Sequence, residues 1–285
     1  MVQAAEELRE GVDVFSHRIY RTDALAERAA GVLGISEPKK DLVGRIAGLI
    51  IFNALLFQEL LAEHERRVQT LHQTLEEDDL HSAFYDHWGV ILEQINYYPI
   101  YHVARQLLVE LPASLDVQEG LRELCHVALR IASRRAALRH DLMGRVYHTL
   151  LRKATYLGTY YTSVPAATLL LNLALDSRRF PYAWHSLDEI RALRIADLAC
   201  GTGTLLMAAA EVVTDNYVRA CSQEGQSPDL SSLSRVLMEE IIYGYDVLLS
   251  ALHLTASTLA LRAPEVTFQR LNLWCLPCLL YTSDA

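Results

Sequence analysis

The chain has 285 residues, 51% of them hydrophobic and 21% charged, with 13 Gly and 8 Pro. That composition excludes a collagenous, low-complexity or disordered polypeptide, and the length leaves room for about two ordinary domains. A net charge of −9 excludes a protein that coats nucleic acid over its whole surface. The five cysteines (Cys125, Cys200, Cys221, Cys275, Cys278) are odd in number and sparse, and no basic-then-apolar leader opens the sequence. The expected compartment is therefore the reducing cytoplasm, without disulfides.

From the start to about Leu151, apolar residues recur at helical spacing, as in Leu60, Leu61, His64, Val68 and Leu71, then Val103, Leu107 and Leu108. Strand-like alternation is missing, so residues 1–140 are predicted to form an all-helical amino-terminal domain. Its most apolar window, residues 47–62, holds Asn53, Gln58 and Glu59 and is shorter than the ~20 residues a bilayer crossing needs. A buried helix is predicted there, and no membrane partner. The acidic run Glu76 to Asp79 fits a solvated helix end or turn.

Between residues 121 and 153, eight Arg/Lys (Arg122, Arg130, Arg134, Arg135, Arg139, Arg145, Arg152, Lys153) face only Glu123 and Asp141. Two readings are open for this stripe: contact with phosphates, or a solvated helix face.

Beyond residue 141 short apolar runs alternate with helical stretches. Strands are predicted at 195–199, 241–246 and 266–271, helices at 204–220 and 248–262, with a polar surface insertion at 222–234. This is the first half of an open parallel sheet, whose ligand sites lie beyond the carboxyl ends of the strands. A half sheet leaves its first-strand edge unpaired, so the chain is expected to be a fragment.

The first predicted strand, with Asp197 and Ala199, runs into Cys200-Gly201-Thr202-Gly203-Thr204 and then a helix. Gly201 and Gly203 permit a tight turn and close approach of a ligand, while the helix N-terminus favours a carboxylate or phosphate. The third glycine of a dinucleotide fingerprint would fall at Leu206, and no phosphate-loop run exists, so both of those readings lose ground. The second strand ends at Asp246, where one carboxylate can hold a ribose diol; the competing reading is an Asp that caps the next helix.

The run Asp197-Leu-Ala-Cys-Gly-Thr-Gly-Thr-Leu-Leu206 resembles the first motif of S-adenosylmethionine-dependent methyltransferases, in the form used by DNA adenine-N6 methyltransferases. Upstream, Gly158-Thr-Tyr-Tyr-Thr162 resembles the motif that in this group precedes the glycine turn and closes over the cofactor, with Ser163 in place of its proline and Pro165 two residues on. Asp141-Leu-Met-Gly-Arg-Val-Tyr147 resembles the segment leading into that motif in modification subunits and fused restriction-modification enzymes. The three signals stand in the group's order over residues 141–272; for the amino-terminal half only a loose similarity to the group's helical leader is claimed.

The resemblance implies an α/β fold in which residues 141–285 are the cofactor half of a truncated Rossmann-like domain, and S-adenosyl-L-methionine as cofactor. It implies that the glycine turn, through Ala199, Cys200, Gly201, Thr202, Gly203 and Thr204, with Tyr160, Tyr161 and Thr162, holds the methionine end. Asp197 would orient the amino group, Asp246 would take the ribose hydroxyls, and Asn272, where the group usually has Asp, would border the adenine. The implied partners are double-stranded DNA and restriction or specificity subunits. The implied reaction is in-line attack of a flipped adenine's exocyclic amine on the sulfonium methyl group. The group's catalytic tetrapeptide [DNS]-P-P-[YFW] occurs nowhere in the sequence, so no catalytic residue is assigned and this chain is expected to be inactive. The last residues, about 276–285, fit no sheet pattern and resemble a read-through tail.

Two rival functions share these features: a methyltransferase acting on protein, RNA or a small molecule, and a non-enzymatic helical interaction module with a vestigial nucleotide fold. Cys275-x-x-Cys278 has no second pair and His64-Glu65 no following His at zinc-ligand spacing, so no metal site is predicted.

Overall fold

A computed structural model describes residues 2–35, 38–134, 147, 162–179, 182–263 and 265–276. Its first part is helical: α1 (Val2–Ile19), α2 (Asp23–Leu33), α3 (Lys40–Ala62), α4 (Leu71–Thr74), α5 (Leu80–Gln94), α6 (Tyr98–Glu110) and α7 (Leu115–Ala132). Local chemistry sets several of their starts. Thr70 and Gln73 form a reciprocal capping box on α4, the Asp79 carboxylate accepts from the His81 and Ser82 N–H groups at the head of α5, and Ser114 caps α7. Each satisfies N–H groups that a helix cannot pair internally. The acidic run 76–79 is thus the turn into α5, as its composition suggests.

Helix α3 is long and apolar enough to cross a membrane, yet residues 46–58 are all buried within the protein. A helix that is apolar on every side needs neighbours on every side, and α1, α2, α6 and α7 supply them. Gly48 on α3 and Gly120 on α7 let both helices close on Phe15 of α1: a Cβ at either would lie 3.1 Å from the Phe15 ring. Gln58 is the polar centre of this core, paired on both sides. Trp88 Nε1 donates to Gln58 Oε1 at 2.8 Å, and Gln58 Nε2 donates to the Gln69 carbonyl at 2.9 Å.

The second part comprises α8 (Val164–Ala174), α9 (Leu187–Ile190), β1 (Ile195–Asp197), α10 (Thr204–Gln223), α11 (Leu230–Val236) running into a π-helical turn (Leu237–Ile241), β2 (Ile242–Asp246), α12 (Leu249–Ala260) and β3 (Asn272–Cys275). The strands form one parallel sheet in the order β1-β2-β3, consistent with the α/β expectation. Helices α10 and α12 pack on the sheet and on each other. Gly244 faces Leu206 of α10. By the alternation of a strand, Tyr243 and Tyr245 point to the other face, where they stack with Trp274 at centroid separations of 5.9 and 5.2 Å.

The third strand lies outside its predicted position. Residues 266–271 are irregular, and pairing starts at Asn272, opposite Tyr243. The cause is a long-range contact. The Tyr97 hydroxyl donates to the Val266 carbonyl at 3.4 Å and accepts from the Phe268 N–H at 3.3 Å, while Glu239 Oε1 accepts from the Gln269 N–H at 2.7 Å. Backbone groups that a strand would offer to its neighbour are spent on side chains.

Helix α12 also packs on α3 and α6, so one continuous apolar cluster runs from the helical part into the sheet part.

Candidate functional site

The carboxyl ends of β1 and β2 come together around the glycine turn. Residues 198–203 reverse the chain, and Gly201 and Gly203 take φ of +56° and +84°, values open to glycine at little cost. Gly203 caps α10, whose N-terminus carries partial positive charge. The two glycines differ in what surrounds them. Among the described residues, a Cβ at Gly201 would meet nothing within 4 Å, whereas one at Gly203 would lie 3.0 Å from Thr255 Cγ2. Among those residues the turn is therefore uncovered at Gly201 and closed against α12 at Gly203.

Asp246 ends β2 and reaches the turn directly. Its Oδ2 accepts the Gly201 N–H at 2.9 Å and its Oδ1 accepts the Leu248 N–H at 2.9 Å. The carboxylate thus joins the loops after β1 and β2, and the capping contact to the next helix coexists with contact to the turn. Asp197, half-buried at the end of β1, accepts the Ala199 N–H at 3.1 Å. Burial raises its carboxyl pKa, and the charge of Asp246 pushes it the same way, against the Ala199 hydrogen bond.

Of the other predicted residues, Cys200, Thr202 and Thr204 are buried in the turn while Ala199 is exposed. The Cys200 N–H donates to the Tyr245 carbonyl at 2.8 Å, which extends the β1–β2 pairing into the turn. Burial pushes the Cys200 thiol up to about 12, so it stays protonated and packs rather than attacks. Thr162 is exposed, two residues ahead of α8; Tyr160 and Tyr161 lie outside the described residues.

Asn272 does not belong to this site. It starts β3, at the opposite end of the sheet, and its buried amide donates to the Glu239 carbonyl at 3.0 Å and, at 3.4 Å, to those of Met238 and Ile242. The displaced strand explains the error: the β3 residue beside Asp246 is Cys275.

Three residues near the turn carry no role in the sequence reading. Thr255 on α12 donates to the Gly201 carbonyl at 2.8 Å and lies 3.8 Å from Cys200 Sγ. Tyr147, which closes the Asp141–Tyr147 segment, is buried with its hydroxyl 2.9 Å from Ser250 Oγ in the first turn of α12. The available signal was the number of small polar residues on an otherwise apolar helix, since buried polar groups require partners.

Within the basic stripe, Arg130 and Arg134 pair with Glu7 at 3.8 and 2.9 Å, and Arg122 donates to the Leu75 carbonyl at 3.3 Å. Those three are engaged on the helical surface; the other five basic residues lie outside the described residues.

No protein-family model matches the chain, and no curated protein matches it. Among solved structures it is similar to a chain of the cryo-EM structure of a DrdV–DNA complex, at 14% identity and a TM-score of 0.47, over 95% of this chain and 25% of that one. This chain therefore spans about a quarter of that protein's length.

Proposed function

We propose that the turn at 199–204 together with Asp246 binds S-adenosyl-L-methionine, in a protein of the DNA adenine-N6 methyltransferase kind from a restriction-modification system. The observation that carries the reading is the Asp246 carboxylate 2.9 Å from the Gly201 N–H. An acid suited to a ribose diol and a glycine turn suited to close backbone approach stand side by side, within reach of one ligand lying over the strand ends.

Charge separates this ligand from nucleotides. Residues 195–204 and 244–255 contain Asp197 and Asp246 and no Lys or Arg. Two carboxylates disfavour a pyrophosphate at the turn and favour a ligand bearing ammonium and sulfonium charges. The space over Gly201 suits the backbone approach this requires. When bound, the cofactor supplies an electrophilic methyl group. This chain's residues would hold it: Asp246 through the ribose hydroxyls, Asp197 through the amino group, and the turn, with Tyr160, Tyr161 and Thr162, around the methionine end. The tetrapeptide that would accept the adenine amine is not in the sequence, so the proposal for this chain is binding without methyl transfer. Double-stranded DNA is the proposed substrate of the whole enzyme.

Calorimetric titration of the full chain with S-adenosylhomocysteine tests the reading. Saturable one-to-one binding is expected, weakened by roughly 1–3 kcal/mol in Asp246→Ala, the usual cost of removing a charged hydrogen-bond partner. A folded chain that binds neither S-adenosylhomocysteine nor S-adenosylmethionine contradicts it.

A further inference from the structure

A side chain of α12 holds the Gly201 carbonyl. Thr255 Oγ1 donates to it at 2.8 Å, from the middle of a helix in which Thr255 is wholly buried. The same residue forms the floor under Gly203: a Cβ there would meet Thr255 Cγ2 at 3.0 Å, Oγ1 at 3.2 Å and Cα at 3.3 Å. Thr255 thus fixes the turn through its hydroxyl at Gly201, while its side chain leaves room for no more than a glycine at 203. A peptide is planar, so pinning the Gly201 carbonyl fixes which way the whole 201–202 unit faces.

Thr255 itself is held from behind. Two residues away on α12, His253 Nε2 accepts from Asn53 Nδ2 of α3 at 2.8 Å, and the same amide donates to Ser257 Oγ, whose hydroxyl donates to the His253 carbonyl at 2.9 Å. These groups are buried, so their hydrogen bonds set the position of α12 against the helical part.

We infer that Thr255 is a positioning residue for cofactor binding, orienting the Gly201–Gly203 turn from a helix that the Asn53–His253–Ser257 cluster docks on α3. The inference rests on the proposed cofactor site and assigns it a determinant in α12, beyond the glycines and acids. Cofactor affinity then depends on the Thr255 hydroxyl in particular, beyond the folding of the chain.

Two variants of the full chain, Thr255→Val and Thr255→Ser, are titrated with S-adenosylhomocysteine alongside thermal melting. Valine keeps the branched shape and loses the hydroxyl; serine keeps the hydroxyl and loses the methyl group. The expected result is an affinity about three- to tenfold weaker in Thr255→Val, the range for one lost neutral hydrogen bond, and within about twofold of the unmodified chain in Thr255→Ser. Unchanged affinity in Thr255→Val overturns the inference while leaving the cofactor site standing. Should Thr255→Val not fold, Thr255→Ser decides: retained affinity supports the hydroxyl, and a tenfold loss assigns the effect to packing and overturns it. Absence of binding by the folded unmodified chain is a separate outcome, which removes the cofactor reading and this inference with it.

Discussion

Helices α3 and α12 are both enclosed by protein, yet they are built differently. α3 fills its buried length with Leu, Ile, Phe and Ala and carries Asn53 and Gln58 as its buried polar side chains. α12, about half as long, buries Ser250, His253, Thr255, Ser257 and Thr258. The contrast reflects what each helix joins. α3 is surrounded mainly by other helices whose backbones are already paired, so apolar packing dominates, and its buried Gln58 serves a loop carbonyl, that of Gln69. α12 lies between those helices and a loop whose backbone polar groups need fixed partners, and its side chains supply them.

The greatest loss of stability is expected in the apolar core around α3, against which Trp88 of α5 packs through Gln58. Trp88 is fully buried, and Trp88→Ala should cost about 3–5 kcal/mol of stability in a denaturant titration. Because one apolar cluster spans both parts, helical circular dichroism and the fluorescence of Trp184 and Trp274 should shift to lower denaturant together. Two separate transitions would break the claim of a shared core.

A smaller effect belongs to the polar side. Burial depresses the His253 pKa from 6.5 to about 4, so the folded state keeps the ring neutral. Protonation at Nε2 would also destroy its acceptor role toward Asn53. The unfolded chain takes up the proton first as pH falls, so this group's contribution is intact above pH 6.5 and is lost progressively as pH drops toward 4. The loss reaches at most about 3 kcal/mol. Stability curves for the unmodified chain and His253→Gln should converge over that interval; parallel curves would show that His253 does not titrate on unfolding.

Much of this was legible in the sequence, for reasons that differ by element. The run through Leu49, Ile50, Ile51 and Phe52 identifies a buried helix because apolar residues on every face leave no surface for water. β1, the glycine turn and Asp246 are legible because a parallel strand feeding a helix through Gly-x-Gly is a local pattern. β3 was misplaced because Tyr97, about 170 residues upstream of Phe268, takes backbone groups that local propensity assigns to a strand. Asn272 was drawn into the site by the same displacement. Thr255 was missed because its partner in the turn is 54 residues away, and Asn53 lies 200 residues from His253; neither spacing leaves a periodic trace. The tyrosine pair at 160–161 falls outside the described residues and stays part of the proposal.

In the proposed reading the turn and the end of β2 form one ligand site. Amide hydrogen exchange of the full chain, with and without saturating S-adenosylhomocysteine, tests it most directly. Slowed exchange is expected at residues 199–204 and 246–250, with α1, α2 and α5 unchanged. Protection that falls elsewhere, or none at either segment, would contradict it.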